Sequence, residues 1–450
     1  MPDLAGWRGA SLTGRINSEQ LSNWLTEQRW FAAKSQMPTG LEVLEEVDVA
    51  GELTLALVAV HFSTGGSEVY QLVLAAEGET VSADAISDPP RARALLHAVE
   101  LGSELDGCHG RFSFRHVANI DVAAEEPVRV VRAEQSNSSL VFGERVVMKL
   151  FRRLESGINP ELEMLRFLTT HQYQNIAPLY GWYEYEGAAL AATLATVCRF
   201  VADGTNGWEV ALAQIPDDTA AFLKHVGELG AVTAQLHSVL ASDAGDPAFA
   251  PEQSSTELLG LLRAVLDEDV ERLFAHLTQD WRLDPIRGLQ PRLREMISAT
   301  PQTPGGSRIR IHGDYHLGQT LHTAGGWTLL DFEGEPARPL TARRSKRSPL
   351  RDVASMLRSF SYAAWAVRLQ RGLNPPATFE EDAREAFLEA YLAEVEPTLV
   401  PGTRSQLDRL LSIFELEKAL YELRYELDNR PDWVPIPVAG IARLVEAADA

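Results

Sequence analysis

The chain has 450 residues, 45% of them hydrophobic and 23% charged, the balance of a globular protein with two or three domains. With 63 acidic against 41 basic side chains the net charge is −22, which argues against nucleic acid or an anionic membrane as a partner. Two cysteines support neither a disulfide framework nor a zinc site, no apolar run reaches the roughly 18 residues of a membrane span, and no signal-type segment opens the chain, so a cytoplasmic protein is expected.

Taken in order, Ser18-Glu19-Gln20 reads as a helix start, with Ser18 as cap, leading into Leu21, Trp24, Leu25 and Trp30. Strands are predicted over Leu41–Val49, Thr54–Phe62 and Val69–Ala75, the last two around the turn Thr64-Gly65-Gly66. The cluster Gln28-Arg29-Trp30-Phe31 fits a helix end packing its aromatics better than a ligand surface. After the Asp88-Pro89-Pro90 break a short helix is expected from Pro89 to His97. Runs rich in β-branched residues at Gly110–Val117, Val128–Ala133, Ser139–Val141 and Val146–Leu150 then predict an antiparallel sheet. Between two of these runs lies the small polar stretch Gln135-Ser136-Asn137-Ser138-Ser139. As a turn it would let backbone N–H groups approach a phosphate, with Ser136, Asn137 and Ser138 as candidates.

Lys149 stands in the middle of an apolar strand, which is costly unless its ammonium meets an anion. A helix follows at once, capped by Asn159 with Pro160 in its first turn, and Glu161 or Glu163 can face Lys149. Thr193–Val201 reads as a strand and 202–207 as a flexible connection, with Arg199 and Val201 at the strand end as candidate nucleotide contacts. From Asp217 the pattern is helical: Ala220–Ser238, Leu258–Thr278, Pro291–Met296, Asp352–Arg368, Phe379–Val395 and Ser405–Asp428. His237 on the first of these is expected to be a packed or surface residue.

Two short apolar runs interrupt the helices, one reaching His312 and the other Asp331, and each delivers an acid at its end. Asp314 and Gln319 have the spacing of the base and the metal-binding asparagine in H-R-D-x-x-x-x-N, and Asp331-Phe332 stands where D-F-G would. Phosphoryl transfer needs such parts, a carboxylate to deprotonate a hydroxyl and oxygen ligands for magnesium. Arg338, Arg343, Arg344, Lys346, Arg347 and Arg351 then follow with no acid among them, either to meet negative charge or as a solvated loop paired with acids such as Asp352. Near the end, Glu417, Tyr421 and Tyr425 share one helix face, and the loop 429–433 closes over it with Trp433. Acids and flat rings together suit a sugar, although taken by themselves they fit core packing at a helix end better.

These segments together resemble the small-molecule kinases of the aminoglycoside phosphotransferase and choline kinase group, and within it the maltokinase family. The resemblance spans nearly the whole chain. It rests on Gln28–Ala32, Leu150–Arg153, Asn159–Glu163, His312–Gln319, Asp331–Pro336, Ser348–Ala354, Glu417–Glu422 and Asn429–Trp433. It implies an α+β, bilobed protein-kinase-like fold: an N-terminal cap subdomain (1–88), a β-rich nucleotide-binding subdomain (89–201) and a mainly helical catalytic and sugar-binding lobe (202–450). The implied reaction is ATP plus maltose giving maltose 1-phosphate and ADP, feeding α-glucan synthesis, in a monomer or homodimer. In this reading Asp314 is the base, Gln319 and Asp331 hold Mg2+, and Lys149 contacts phosphate with Glu163 as its partner. His316, Glu333, Arg338, Glu417, Tyr421 and Trp433 face the sugar. Glucosamine or another sugar is the alternative acceptor, and a non-catalytic nucleotide- or sugar-binding regulator is the alternative from another class.

Overall fold

The segment Leu53–Phe62 is apolar at nearly every position, which only a strand covered on both faces tolerates. Leu53, Leu55 and Leu57 point into one core, while Ala56, Val58 and Val60 point into another. The computed structural model describes residues 18–449 apart from 35, 51–52, 78–79, 83, 132–135, 276–279 and 301–304. The chain divides into two compact units, one of residues 1–169 with 177–202 and one of 170–176 with 203–450.

The first unit is built on two sheets. In one, the order is Pro38–Ala50, Leu53–Phe62, Ser67–Glu77 and the short Arg153–Leu154, with Thr80–Ser82 also on Ser67–Glu77. The outer core of this sheet takes Leu21 and Leu25 of the Ser18–Glu27 helix with Trp30 and Phe31, so the predicted packing of that aromatic cluster is found. The second sheet runs Glu104–Asp106, Gly110–His116, Leu179–Gly187, Ala191–Arg199, Val146–Phe151, Asn137–Phe142 and Val128–Val131. The inner faces of both sheets share a core with the Pro89–Glu100 helix. Gln71, fully buried, ties the sheets together: its amide donates to the carbonyls of Phe151 and Leu194 and accepts from the Tyr183 hydroxyl. The Leu179–Gly187 strand was not predicted. Its sequence, LYGWYEYEG, alternates aromatics with glycine and acids and lacks a β-branched residue.

The second unit is helical around a short hairpin. Helices Thr256–Ala275, Gln290–Ser298, Arg404–Asn429 and Pro435–Asp449 share one apolar core. Helices Thr219–Leu240 and Phe379–Glu394 pack on each other, and Leu350–Arg371 packs on Phe379–Glu394 and Arg404–Asn429. The hairpin Thr320–Thr323 and Gly326–Leu329 takes Thr205–Asn206 as a third strand, so part of the predicted flexible connection is paired backbone. The helix Gly207–Asp217 follows directly, capped by Asn206. No helix among the described residues is long and apolar enough to cross a membrane.

Candidate active site

In the first unit, Lys149 lies centrally in Val146–Phe151, between Asn137–Phe142 and Ala191–Arg199. Its Nζ is 2.6 Å from Glu161 Oε2, with both side chains largely buried. Glu161 thus pairs with Lys149, where the resemblance favoured Glu163. Asn159 Oδ1 accepts the Glu161 N–H at 2.8 Å, which caps the Pro160–Thr170 helix and starts it in the phase that turns Glu161 inward. Glu161→Gln should therefore raise the Michaelis constant for ATP or lower turnover by about 10–100-fold, the scale of a lost charge-assisted hydrogen bond, whereas Glu163→Gln should change either by only a few-fold. Steady-state kinetics with ATP varied makes the comparison.

The small polar stretch is not a free turn. Asn137, Ser138 and Ser139 are buried within the strand Asn137–Phe142, while Ser136 is exposed just before it. Ser138 Oγ accepts from Nε of the buried Arg152 at 2.8 Å, and Arg152 also pairs with Asp84 at 2.7 Å and lies over the Trp30 ring. The Ser138 hydroxyl thus has a protein partner, and the phosphate contact expected of this stretch was one of backbone N–H groups. Gln135 lies outside the described residues. Arg199 ends its strand exposed, its N–H bonded to the Pro178 carbonyl, and Val201 follows half-buried.

In the second unit the segment 310–319 is held from several sides. The fully buried Asp352, in the first turn of Leu350–Arg371, accepts the N–H groups of His312 and Gly313 at 2.8 and 2.9 Å. It also meets His237 Nε2 at 3.1 Å, while His237 Nδ1 meets the Tyr391 hydroxyl at 2.9 Å. Asp352 is therefore not a counterion for the arginine run, as the solvated-loop reading had it, and His237 is a packed histidine with a supporting role. Farther along, the Leu317 N–H donates to Ser359 Oγ, and Tyr315 shares a hydrogen bond with Thr233. Gly313 has a φ of 83°, which makes glycine the residue of choice there.

Burial raises the Asp352 carboxyl, but the hydrogen bond and charge of His237, with His312 and the Gly313 N–H, outweigh it and hold the group below its ordinary value. The sign follows directly. A depressed folded value supplies stability in full above the unfolded carboxylate value of about 3.9, and that stability is lost as pH falls through the folded value. Asp352→Asn puts an NH2 donor among groups that already donate, an expected cost of about 1–3 kcal/mol at neutral pH. Melting followed from pH 7 into the acid range should show a lower starting Tm and a shallower acid limb in this variant.

Asp314 follows in this pinned loop, its side chain half-buried. Lys418 Nζ and His316 Nε2 stand 3.9 and 4.0 Å from its carboxylate, beyond hydrogen-bond reach. His316 Nδ1 accepts the Gly318 N–H at 3.1 Å, which leaves Nε2 to carry the ring proton toward Asp314. Gln319 Nε2 donates to Asp331 Oδ2 at 3.0 Å. His312 Nε2 bonds the Leu330 carbonyl at 2.8 Å, and Leu330 N–H bonds the Gln319 carbonyl, so the two acidic segments are laced together. Asp331 has a φ of 60°, a left-handed conformation for a residue with a Cβ. Glu333 is half-buried, with its carbonyl accepting from Arg343 at 3.2 Å.

Beside Asp314 a cleft is lined by Glu335, Arg338, Arg347, Arg351, Glu417, Lys418 and Tyr421, among others. Arg338 pairs with Glu335, Arg351 with Glu417 at 2.5 Å, and Lys418 lies over the Tyr421 ring. Burial, and then the guanidiniums of Arg338 and Arg351, push Arg347 down to about 10. Burial, then Glu335 and Asp314, push Tyr421 up to about 12. Glu417 and Tyr421 thus share one cleft with Arg338. Trp433 is outside the residues lining that cleft: it stacks on Tyr362 at 6.0 Å, under Arg430 and near Trp208. Asp352, His237 and Lys418 were not predicted for the site, because their partners are 39 to 154 residues away and carry no local signal.

Residues 24–104 match the maltokinase N-terminal cap domain, and residues 127–373 match the phosphotransferase enzyme family, more than half of the chain. The chain belongs to the phosphotransferase enzyme family. It is accordingly a phosphotransferase with an alcohol group as acceptor. Among similar proteins are a glucosamine kinase of Mycolicibacterium smegmatis, 28% identical over 75% of this chain and 84% of that protein, and one of Streptacidiphilus jiangxiensis, 25% identical over 70% and 73%. A solved glucosamine kinase with glucosamine, ADP and inorganic phosphate superposes with a TM-score of 0.72 at 19% identity, covering 90% of this chain and 94% of that one. A second crystal form gives 0.74 over 94% and 99%. At these identities the likeness establishes the shared kinase-like fold, with a β-sheet N-terminal part and a helical C-terminal part.

Proposed function

We propose that this phosphotransferase is an ATP-dependent sugar kinase that phosphorylates maltose at its anomeric hydroxyl, giving maltose 1-phosphate and ADP for α-glucan synthesis. The maltokinase cap over residues 24–104 is the observation that carries maltose as acceptor. Asp314 is the base: its carboxylate is free of hydrogen-bonding cations and can take a hydroxyl proton. Gln319 and Asp331 stand side by side, joined through the Gln319 NH2, and the oxygen of that amide with the carboxylate makes a donor set that fits a hard divalent cation. When bound there, Mg2+ would neutralise phosphate charge. Lys149, oriented by Glu161, supplies the phosphate contact, and the Arg199–Val201 strand end supplies the adenine contact.

The paired charges of the cleft give a sugar both acceptors (Glu335, Glu417) and donors (Arg338, Arg351), with Tyr421 as a ring face. His316 and Glu333 belong to the same proposed acceptor side, and Trp433, on its own aromatic cluster, is a further candidate sugar contact. Glucosamine is the second reading, because the similar curated proteins are glucosamine kinases. The charge of the cleft weighs against it: Arg338, Arg343, Arg347, Arg351 and Lys418 line it with Glu335, Glu417 and Asp352, and the last is already committed to backbone. An ammonium there meets like charge, whereas a neutral disaccharide does not. ADP release with ATP and maltose, glucose or glucosamine tests the assignment. Maltose should give the highest kcat/KM, and a preference for glucosamine would overturn it.

A further inference from the structure

Away from this chemistry, helix Thr219–Leu240 presents His225 and Glu228 at i and i+3 on one face, toward His322 of the hairpin. One ligand-capable atom from each of the three lies within 4.8 Å of the others. The two imidazole rings are 4.2 Å apart, and Trp327 braces both: its ring is 4.8 Å from that of His322, and its indole N–H donates to the His225 carbonyl at 2.9 Å. His225 Nδ1 is 3.0 Å from Gln214 Oε1, an atom that can only accept, so the proton sits on Nδ1 and Nε2 keeps its lone pair. This is the outer-shell arrangement in which a ligating histidine donates its other ring N–H.

We propose that His225, Glu228 and His322 form a binding site for a divalent transition metal of the zinc class. Two imidazoles and a carboxylate are a recurring protein ligand set for zinc with one open position. Bonds of about 2.0–2.1 Å would draw the donors together by roughly 1 Å, within reach of side-chain adjustment. The competing charge is Lys224, 3.7 Å from Glu228, but both partners are exposed and such pairs hold weakly. Two neutral nitrogens make the site unlike the all-oxygen donor set of Gln319 and Asp331, so it discriminates against Mg2+. Its consequence is mechanical. The ion would fasten the helix to the hairpin strand that begins directly after Gln319 and whose partner strand runs into Asp331.

The test uses untagged full-length chain, stripped with chelator and kept in excess Mg2+ so that the acidic site is occupied. Zn2+ is titrated calorimetrically, Co2+ is followed by its visible absorption, and Tm is read with and without Zn2+. Wild type should bind one equivalent, show Co2+ bands of tetrahedral type and melt several degrees higher with Zn2+. His322→Ala should bind at least about 100-fold more weakly, and Gln214→Ala about 10-fold, the scale of losing an outer-shell partner. Glu228→Gln, exposed and harmless to folding, keeps the test decisive should the histidine variant unfold: it should also weaken binding and blunt the Tm rise. No stoichiometric Zn2+ binding by wild type, or binding that survives both His322→Ala and Glu228→Gln, would overturn the proposal.

Discussion

Asp314→Asn should lower kcat by at least about 100-fold, the usual weight of a positioned base, and leave the Michaelis constant for ATP nearly unchanged. The substitution keeps size and shape and removes only the ability to accept a proton. The loop should not collapse, since its anchors are Asp352, Ser359 and Thr233 rather than Asp314 itself. Nucleotide affinity should hold because the residues assigned to phosphate and metal are Lys149, Gln319 and Asp331. Turnover within a few-fold of wild type would remove Asp314 from the mechanism. Parallel losses in kcat and ATP affinity would point to a disturbed loop instead.

Asp331→Ala should cost at least about 3 kcal/mol of transition-state stabilisation, or roughly 100-fold in rate, because the only charged oxygen in the Gln319–Asp331 pair is gone. Gln319→Ala should act in the same direction with a smaller loss, since a neutral donor leaves and the Asp331 carboxylate merely loses the amide that aims it. The separating measurement is a magnesium titration of activity at saturating ATP and sugar. Both variants should need more magnesium than wild type, Asp331→Ala by the larger factor. Unchanged titrations in both would mean that the ion is held by other residues.

How far the sequence could reach depended on the range of the interaction. Lys149 stood out because a cation in an otherwise apolar six-residue strand is expensive, Asp314 and Gln319 stood out through their spacing in one loop, and Asp331 through its place after the next apolar run. The choice between Glu161 and Glu163 lay beyond it. Two residues on a helix differ by about half a turn, and the phase was fixed by which N–H the Asn159 side chain captured. The turn reading of 135–139 reached too far because small polar residues signal turns, whereas Asn137, Ser138 and Ser139 lie in a strand, with Ser138 against a buried arginine. The place of Trp433 was beyond reach for a related reason: the sequence set it on a loop closing over a helix end, and nothing local to that loop said that its ring would stack on Tyr362. The Asp352–His237–Tyr391 chain joins three helices and leaves no trace in any one of them.

The backbone angle of Asp331 implies that this phosphotransferase has traded robustness for chemistry. A residue with a Cβ held at a φ of 60° lies roughly 1–2 kcal/mol above a relaxed conformation, a penalty that glycine escapes. Asp331→Gly should therefore melt at a higher temperature than wild type while being inactive, which calorimetry and an ADP-release assay on one preparation would reveal. Selection for thermal endurance alone would be drawn to that substitution. Any programme that hardens this chain against heat has to screen for turnover at the same time.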